Sequence, residues 1–471
     1  MSIDTEPGMD PGLNPYLQGS YAPVHDELDV NDLAVTGHIP EALTGAYLRN
    51  GANQAFTPLG RYHLFDGDGM IHGVYLDGGR ARYKNRFVES RGLQAERRVG
   101  HSLYGGLAEF HLPEQSVIDE FGMMKNTANT NVIRHAGRIL ALMEGAHPTE
   151  MSRELDTIGE YDYDGKLQGA MTAHPKWDPT TGELLFFGYS PFPPFVRFHV
   201  ADASGALVRS VDIDLPRPVM MHDFVATTGH VVFFDLPAVF DLDAMMTGGT
   251  PVSWQPQHGA RIGVLPRDGG SDDVTWFEMD PFFVFHFLNG WDDGDTVVID
   301  GCRAPRMPIA FGDDAMPDPT MPTLHRWTID LAAGTVTETE LDDRPGDFPR
   351  INDRRGGLTN RYGYIASGPP GIEGTPFNSI VKYDLDTGAS QVHDYGGAGI
   401  ESGEAVFAAD PDGTAEDDGW LINFVSDRVT GASDLVILDA RDLTGGPVAR
   451  VHMPRRVPFG FHGNWMADHP S

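Results

Sequence analysis

The sequence predicts an all-β protein whose sheets close into a ring, and three observations support that prediction. Short runs of apolar and β-branched residues recur along the whole chain, and turn residues bound each run. Glycine (56 residues) and proline (35 residues) are abundant in a chain of 471, as expected where tight turns join many strands. Three turns are alike in sequence, which indicates repeated β-meanders: Asp178–Gly182, Asp384–Gly388 and Asp410–Gly413.

A propeller is the architecture that these meanders favour. About twenty-five or more short strands are expected at this turn spacing. A propeller arranges small meanders around an axis and leaves only short, protected strand edges. We therefore predict a flexible N-terminal arm over residues 1–14 and a single β-propeller domain over residues 15–471.

Individual strands follow from the apolar runs between turns. The region Leu93–Phe110 is the most helix-like part of the chain, although three glycines interrupt it. Strands are predicted at Gly45–Gly51, Tyr62–Leu64, Gly73–Leu76, Ala81–Phe87, Asn131–Arg134, Arg138–Glu144, Leu184–Gly188, Val196–Val200, Ala206–Ile213, Phe224–Thr227, His230–Asp235, Val274–Phe277, Thr296–Asp300, Leu324–Asp330, Thr335–Leu341, Tyr362–Ala366, Ser379–Asp384, Ser390–Asp394, Trp420–Ser426 and Ser433–Asp439.

Charge and composition exclude several classes of function. The formal net charge of −34 makes nucleic acid an improbable partner, because phosphate binding needs a basic surface. The single cysteine, Cys302, excludes intramolecular disulfides and cysteine-rich metal sites. No run approaches about 18 apolar residues, so no membrane-spanning helix is expected. The acidic N-terminus lacks the apolar core of a secretory signal, so we expect a cytoplasmic protein.

Four of the 19 histidines stand in distinctive surroundings. Each lies beside a strand or turn and among apolar or aromatic residues: His174 (after Thr172-Ala173), His222 (in Met220–Phe224), His286 (in Phe282–Asn289) and His462 (in Phe459–Trp465). A single histidine is more often structural than a ligand. Apolar surroundings nevertheless favour neutral imidazole, the form that binds iron, copper, nickel or zinc. Sequence spacing alone does not show that the four converge.

Several motifs in a consistent order resemble the carotenoid cleavage oxygenase family, which includes stilbene-cleaving dioxygenases and retinoid isomerohydrolases. The resemblance covers nearly the whole chain and rests on Tyr47–Gly51, Phe65–His72, Asn129–Asn131, Thr172–Pro175, Met221–Phe224, Phe348–Ile351 and Phe461–Trp465. It implies a seven-bladed β-propeller in which loops and short helices cover an iron ion, Fe(2+), on the axis.

The resemblance also implies the residues of the iron site. The four iron ligands would be His174, His222, His286 and His462. The family has three carboxylates that bond the outer nitrogens of three ligands and so fix their tautomers. Glu144 and Glu404 match two of them. The third position is Asp347, where family members usually have glutamate. Because aspartate is one methylene shorter, we expect it to reach its histidine after a backbone shift or through a water.

By the same resemblance, the protein is a dioxygenase that uses O2 to cleave a conjugated C=C bond into two carbonyl products. Stilbene-cleaving relatives hold a 4-hydroxyl group with a tyrosine and a lysine. Here Met143 stands in the place of the lysine and Leu107 in that of the tyrosine, with Tyr104 nearby. Phe283 is expected to line the same pocket. These apolar replacements favour a small apolar conjugated substrate, an apocarotenoid or carotenoid; the alternative is a stilbene or phenylpropene.

Two other classes of function and one surface property are weighed against this prediction. A metal-free propeller serving as a binding scaffold would purify without iron. A calcium-dependent propeller hydrolase would need clustered carboxylate ligands beside a catalytic pair, and the sequence contains no such set. The apolar segments Pro191–Phe195 and Val239–Met246 are candidates for transient contact with a membrane surface during substrate uptake, although packed loops are the simpler interpretation of each.

Overall fold

A computed structural model describes residues 14–247, 249–309, 321–368, 377–397 and 399–468. These residues form seven antiparallel sheets, which we call blades 1 to 7, and one separate two-stranded hairpin. The seven-bladed β-propeller is therefore confirmed. The predicted N-terminal arm over residues 1–14 lies, apart from Asn14, outside the described residues.

Each blade is an antiparallel meander of short strands. Blade 1 contains Asp29–Val30, Gly45–Arg49, Ala52–Asn53, Asp68–Asp77, Arg80–Phe87 and Gly463–Ala467; blade 2 contains Asn131–His135, Arg138–Leu142, Thr149–Met151 and Thr157–Glu160; blade 3 contains Lys176–Trp177, Leu184–Tyr189, Val196–Ala201 and Leu207–Ile213; blade 4 contains Val225–Ala226, His230–Asp235, Ala260–Pro266 and Thr275–Met279.

The remaining blades complete the ring. Blade 5 contains Phe283–Asp293, Thr296–Ala304, Thr323–Asp330 and Thr335–Asp342; blade 6 contains Gly346–Arg350, Tyr362–Ser367, Ser379–Asp384 and Ala389–Asp394; blade 7 contains Val35–Gly37, Ile400–Ser402, Val406–Ala409, Gly419–Asp427, Ala432–Asp439 and Pro447–His452; the separate hairpin consists of Ala238–Phe240 and Val252–Trp254. The outer strand Thr335–Asp342 is rich in threonine and glutamate, which suits a solvated edge and discourages edge-to-edge pairing.

Both ends of the described chain take part in closing the ring. The C-terminal strand Gly463–Ala467 pairs with Gly45–Arg49 in blade 1. In blade 7, the N-terminal strand Val35–Gly37 pairs with Pro447–His452. Two joints between early and late segments thus hold the ring shut, and the first of them carries the segment around His462 back to the centre.

Helices are few and short in the part of the chain that the structure describes. Helix α1 (Arg91–Val99) begins where the Ser90 hydroxyl accepts a hydrogen bond from the backbone of Leu93, and it ends at Gly100, whose φ of 80° suits glycine. The predicted helical region is therefore helical only in its first part. The other helices are α2 (Gln115–Phe121), α3 (Leu242–Met246) and the 3-10 turns Pro15–Leu17, Gly19–Tyr21, Pro256–His258, Ser271–Asp273, Asp353–Arg355 and Leu443–Gly445. Among the described residues, none of the helices has the length and apolar character needed to cross a membrane.

One predicted strand is wrong. The segment Tyr62–Leu64 is irregular, because side chains rather than a neighbouring strand bind its backbone. The Asn14 side chain donates to the carbonyl oxygen of Tyr62 at 2.7 Å, and the Asp66 carboxylate accepts from the backbone N–H of His63 at 2.7 Å.

Candidate metal centre

All seven blades contribute one residue each, in or beside a strand, to a cluster at the centre of the ring. The contributions are His462 from blade 1, Glu144 from blade 2, His174 from blade 3, His222 from blade 4, His286 from blade 5, Asp347 from blade 6 and Glu404 from blade 7. Residues that are up to 318 positions apart in the chain (144 to 462) meet in this way. The structure therefore brings together the four histidines and the three carboxylates that the sequence singled out.

The four imidazoles face a common point. Their nearest ligand atoms all lie within 4.8 Å of one another, and all four side chains are buried. The Nε2 atom of His222 is 2.9 Å from Nε2 of His174 and 3.3 Å from Nε2 of His286. Two nitrogens at about 2.1 Å from one metal ion and at right angles to each other are separated by about 3.0 Å. The spacing thus fits neighbouring positions around one metal ion.

Three of the four histidines are oriented by a carboxylate at the other ring nitrogen, Nδ1. Glu144 lies 2.7 Å from Nδ1 of His222, and Glu404 lies 3.0 Å from Nδ1 of His462. Asp347 lies 2.8 Å from Nδ1 of His286, so the shorter side chain reaches its histidine directly. Such contacts hold the proton on Nδ1 and leave the Nε2 lone pair for a metal ion.

This arrangement has an electrostatic consequence. With Nδ1 protonated, the Nε2 lone pairs of His222, His286 and His462 point at one another across a short gap. Lone pairs at that separation repel unless a cation or a proton lies between them. Burial lowers the pKa of His174 well below its usual value, and the neighbouring imidazoles lower it further. The donor set therefore suits a borderline metal ion such as Fe(II), for which neutral imidazole is a good ligand.

The carboxylates are themselves held in place. Burial opposes the charge of Glu404, but the Arg350 guanidinium at 3.3 Å and the His462 ring outweigh it, and the pKa of Glu404 is lowered to about 2. Burial likewise disfavours charge on His286, but Asp347 outweighs it and the pKa of His286 lies above its usual value. Burial raises the pKa of Tyr189 far above its usual value, and its hydrogen bond to Glu144 adds to the effect.

Arg350 joins three separate segments of the chain. Besides Glu404, its guanidinium donates to the carbonyl oxygen of Gly463 at 3.2 Å and to the side-chain oxygen of Asn464 at 2.9 Å. The backbone N–H of Gly463 in turn donates to Glu404 at 2.9 Å. Arg350 therefore positions both His462 and the carboxylate that orients it.

A β-bulge in blade 6 makes this possible. Asp347 pairs with Ala366 and Arg350 pairs with Tyr364, so the strand holds one extra residue between them. Phe348 adopts φ 54° there, a conformation that costs a residue with a side chain about 1–3 kcal/mol. Its ring stacks on His286 at 5.0 Å. The bulge thus lets Asp347, Phe348 and Arg350 all face the centre, which a regular alternating strand does not allow.

One side of the cluster is aromatic. Phe285 meets the His222 ring edge to face at 5.0 Å, and Phe283 meets Phe285 at 4.7 Å. Both phenylalanines belong to a buried core against which Leu107 packs. Met143 is half-buried next to Glu144, and its sulfur accepts from the backbone of Gly145.

Of the four residues expected to contact substrate, two are therefore found together on this side. Leu107 and Phe283 share one apolar cluster, and Met143 is adjacent in sequence to a residue of the centre. Tyr104 lies apart: its hydroxyl donates to the carbonyl oxygen of Gly122, next to α2, at 3.4 Å. Contact of any of them with a substrate remains a prediction.

Another side of the cluster opens into a cavity of about 580 Å³ along the ring axis, the axial cavity, whose wall has polar and apolar parts. His174, His286 and His462 line its inner end, and Trp177 and Asp353 are exposed in its wall. The Lys176 ammonium and the Asp223 carboxylate form an ion pair of 2.6 Å in this cavity. The wall therefore combines ion pairs and amides with apolar residues, among them Phe287 and Phe348.

Sequence reasoning missed several residues of the site. Arg350 belongs to the motif Phe348–Ile351, but an arginine next to a proline is not by itself a sign of a metal site. Phe348 gave no signal, because a positive φ is not expected of phenylalanine. Tyr189 and Phe285 lie in ordinary apolar strands. Their roles depend on which strands become neighbours.

Fold and site together define a class of protein: a β-propeller with a central four-histidine cluster suited to a metal ion. A family model described as RPE65, retinal pigment epithelial membrane protein, matches residues 21–467. A carotenoid cleavage oxygenase of Mycobacterium tuberculosis is 39% identical, over 96% of this chain and 97% of that protein.

Solved structures agree with the sequence comparison. A lignostilbene dioxygenase of Pseudomonas brassicacearum is 32% identical and superposes with a TM-score of 0.90, over 96% of this chain and 98% of that one. A cobalt-substituted apocarotenoid oxygenase of Synechocystis is 28% identical with a TM-score of 0.86, over 96% and 98%. The chain belongs to the carotenoid cleavage oxygenase family. The resemblance seen in the sequence motifs and the oxygenase class it implied are confirmed.

Proposed function

We propose that this protein is a non-haem Fe(II)-dependent dioxygenase that cleaves a conjugated C=C bond of an apolar polyene. The observation that carries the proposal is the convergence of four buried imidazoles, three of which are oriented by carboxylates at Nδ1. In the reaction one C=C bond breaks, one O2 is consumed, and each carbon of the former double bond becomes a carbonyl carbon.

His174, His222, His286 and His462 would hold the iron through Nε2. O2 reacts slowly with spin-paired organic molecules because its own ground state has two unpaired electrons. Fe(II) bound at these histidines would overcome this spin barrier. The protein positions the double bond beside the centre and limits water on the side of Phe283 and Phe285. No acid or base residue is required for the scission itself, in keeping with a centre whose carboxylates are already engaged by histidines.

The apolar side supports an apocarotenoid or carotenoid as substrate. Met143 and Leu107 offer no charged or hydroxyl group to a phenol, and Phe283 adds aromatic surface. A polyene consists of apolar surface, and removing such surface from water contributes about 25 cal/mol per Å². A hydroxystilbene would bury its phenol on the same side without the two polar anchors, which is unfavourable.

A stilbene or phenylpropene is the second candidate. Its support is the similarity to a lignostilbene dioxygenase over nearly the full length of both chains. The two candidate substrates require different side chains at position 143. A phenolate needs a polar partner there, and a hydrocarbon does not.

Transient contact with a membrane surface is also proposed, because carotenoids reside in lipid. Phe192, within the predicted segment Pro191–Phe195, is 59% exposed. The other predicted segment is less suitable, since Val239 is buried in the hairpin. Leu112, Met123 and Met124 are also exposed, on either side of α2. Cosedimentation with neutral lipid vesicles tests the contact, and Met124→Glu is expected to weaken it.

A substrate panel tests the proposed function. Iron-loaded protein is incubated in air with apocarotenals, carotenoids and hydroxystilbenes, and the aldehydes are identified by mass spectrometry. We expect two carbonyl products from an apocarotenal. Rapid cleavage of stilbenes with apocarotenals untouched would favour the second candidate, and the absence of any carbonyl product would refute both.

A further inference from the structure

The axial cavity reaches the four-histidine centre away from Phe283 and Phe285. Its inner end is lined by His174, His286 and His462. Its described wall includes neither the predicted substrate-pocket residues Met143, Leu107 and Phe283 nor Phe285, although Phe287 of the same apolar core lines it. Exposed residues in the wall, such as Ala203 and Thr228, connect the cavity with solvent.

The cavity wall carries charged and polar groups among its apolar residues. Three ion pairs lie in it: Lys176 with Asp223 at 2.6 Å, Arg267 with Asp178 at 3.0 Å, and Arg350 with Glu404 at 3.3 Å. Side-chain amides also line it, from Asn131, Asn289 and Asn464. A hydrated ion passing along such a wall exchanges hydrogen bonds to bulk water for hydrogen bonds to polar groups, without meeting a strong trap.

A metal ion has to reach imidazoles that are at most 9% exposed. Moving even a singly charged ion from water into an apolar medium costs on the order of 20 kcal/mol in the idealised limit, and a divalent ion costs more. The aromatic side therefore opposes a divalent cation. Six waters of hydration, at about 30 Å³ each, occupy about 180 Å³, which is well below the 580 Å³ of the axial cavity.

We propose that the axial cavity is the route by which the metal ion reaches the four histidines, so that metal and organic substrate approach from different sides. This inference rests on the proposed metal-binding function of the centre. It assigns the axial cavity a role in loading the protein and leaves the side of Phe283 and Phe285 to the hydrocarbon.

The single cysteine of the chain makes the route testable. Cys302 is fully buried, so a thiol reagent has little native target. Ala203→Cys and Thr228→Cys each place an exposed thiol in the cavity wall. Val429→Cys, at a position 83% exposed and outside the described wall, is the matched control. Phe192→Cys labels the apolar surface instead.

Each variant is stripped of metal, labelled with a bulky maleimide and mixed with Co²⁺. Cobalt uptake is followed by visible absorption and by metal analysis, and thermal unfolding shows that each labelled protein is folded. We expect labels at 203 and 228 to slow uptake by about tenfold or more relative to the same unlabelled variants. Labels at 429 and 192 are expected to leave the rate within about twofold.

The outcomes separate the two proposals. Uptake that is unaffected by labels at both 203 and 228, or that is slowed by the label at 192, would overturn the axial route while leaving the metal centre intact. If unlabelled protein takes up no cobalt at the histidines, the proposed metal-binding function fails, and the route fails with it.

Discussion

The two sides of the four-histidine cluster differ in the charged groups that line them. On one side Phe285 and Phe283 follow His222 into an apolar core. On the other side the ion pair of Lys176 and Asp223 lines an open cavity. The same imidazoles thus separate an environment suited to a hydrocarbon from one suited to water and ions. Substrate preference and metal supply are expected to respond to different mutations, and the predictions below test that separation.

The largest effect is expected on removing a ligand. His462→Ala should lower metal affinity by roughly 100-fold or more, since even the loss of a hydrogen-bond partner of a ligand costs 10- to 100-fold. Metal content after dialysis and calorimetric titration with Co²⁺ measure it. His452→Ala is the control, because His452 bonds Asp434 at the surface. Equal metal binding by both variants would contradict the assignment of His462.

A smaller loss is expected at the partner of His286. Asp347→Asn keeps the shape but removes the charge that holds the proton on Nδ1, so metal affinity and turnover should fall by about 10- to 100-fold. Asp347→Glu keeps the negative charge and introduces the residue that family members usually carry. This variant should therefore retain most activity. The titration used for His462 serves here. If the asparagine variant binds metal like the native protein, Asp347 does not orient His286.

The next effect separates positioning from general stability. Arg350→Met leaves Glu404 buried without its guanidinium, which should destabilise the fold by about 3–5 kcal/mol and lower metal affinity by about tenfold. Arg326→Met breaks a comparable buried pair with Asp300, at 2.7 Å, in blade 5. Chemical denaturation and cobalt titration are compared for the two variants. If Arg350→Met and Arg326→Met destabilise the fold equally and bind metal with the same affinity, Arg350 has only a structural role.

The smallest effect concerns substrate choice. Met143→Lys introduces a polar anchor on the apolar side, so the ratio of kcat/KM for a hydroxystilbene to that for an apocarotenal should rise by about fivefold. Met143→Leu, which keeps the side apolar, is the control and should leave the ratio unchanged. Metal affinity is expected to stay the same in both. A ratio that does not move would show that position 143 does not contact the substrate.

Much of this structure could be predicted from the sequence, and the predictions that were wrong or missing have physical causes. His174, His222, His286 and His462 were selected because each stands among apolar or aromatic residues, but their convergence depends on ring closure between the two ends of the chain. Spacing along the chain contains no information about that closure; the family resemblance supplied it.

Other features depend on local backbone geometry. The strand predicted at Tyr62–Leu64 is absent because Asn14 and Asp66 bind its backbone. Asp347 was expected to need a water or a backbone shift, and it makes a direct contact in a bulged strand. Arg350 became identifiable only once Glu404 and Asn464 were seen beside it.

X-ray absorption spectroscopy of the Fe(II)-loaded protein tests the metal centre most directly. Four imidazole nitrogens at about 2.1 Å, with the multiple-scattering pattern of histidine rings, is the predicted result. A first shell dominated by carboxylate or water oxygens, or iron that dissociates during gel filtration, would contradict the assignment of His174, His222, His286 and His462 as its ligands.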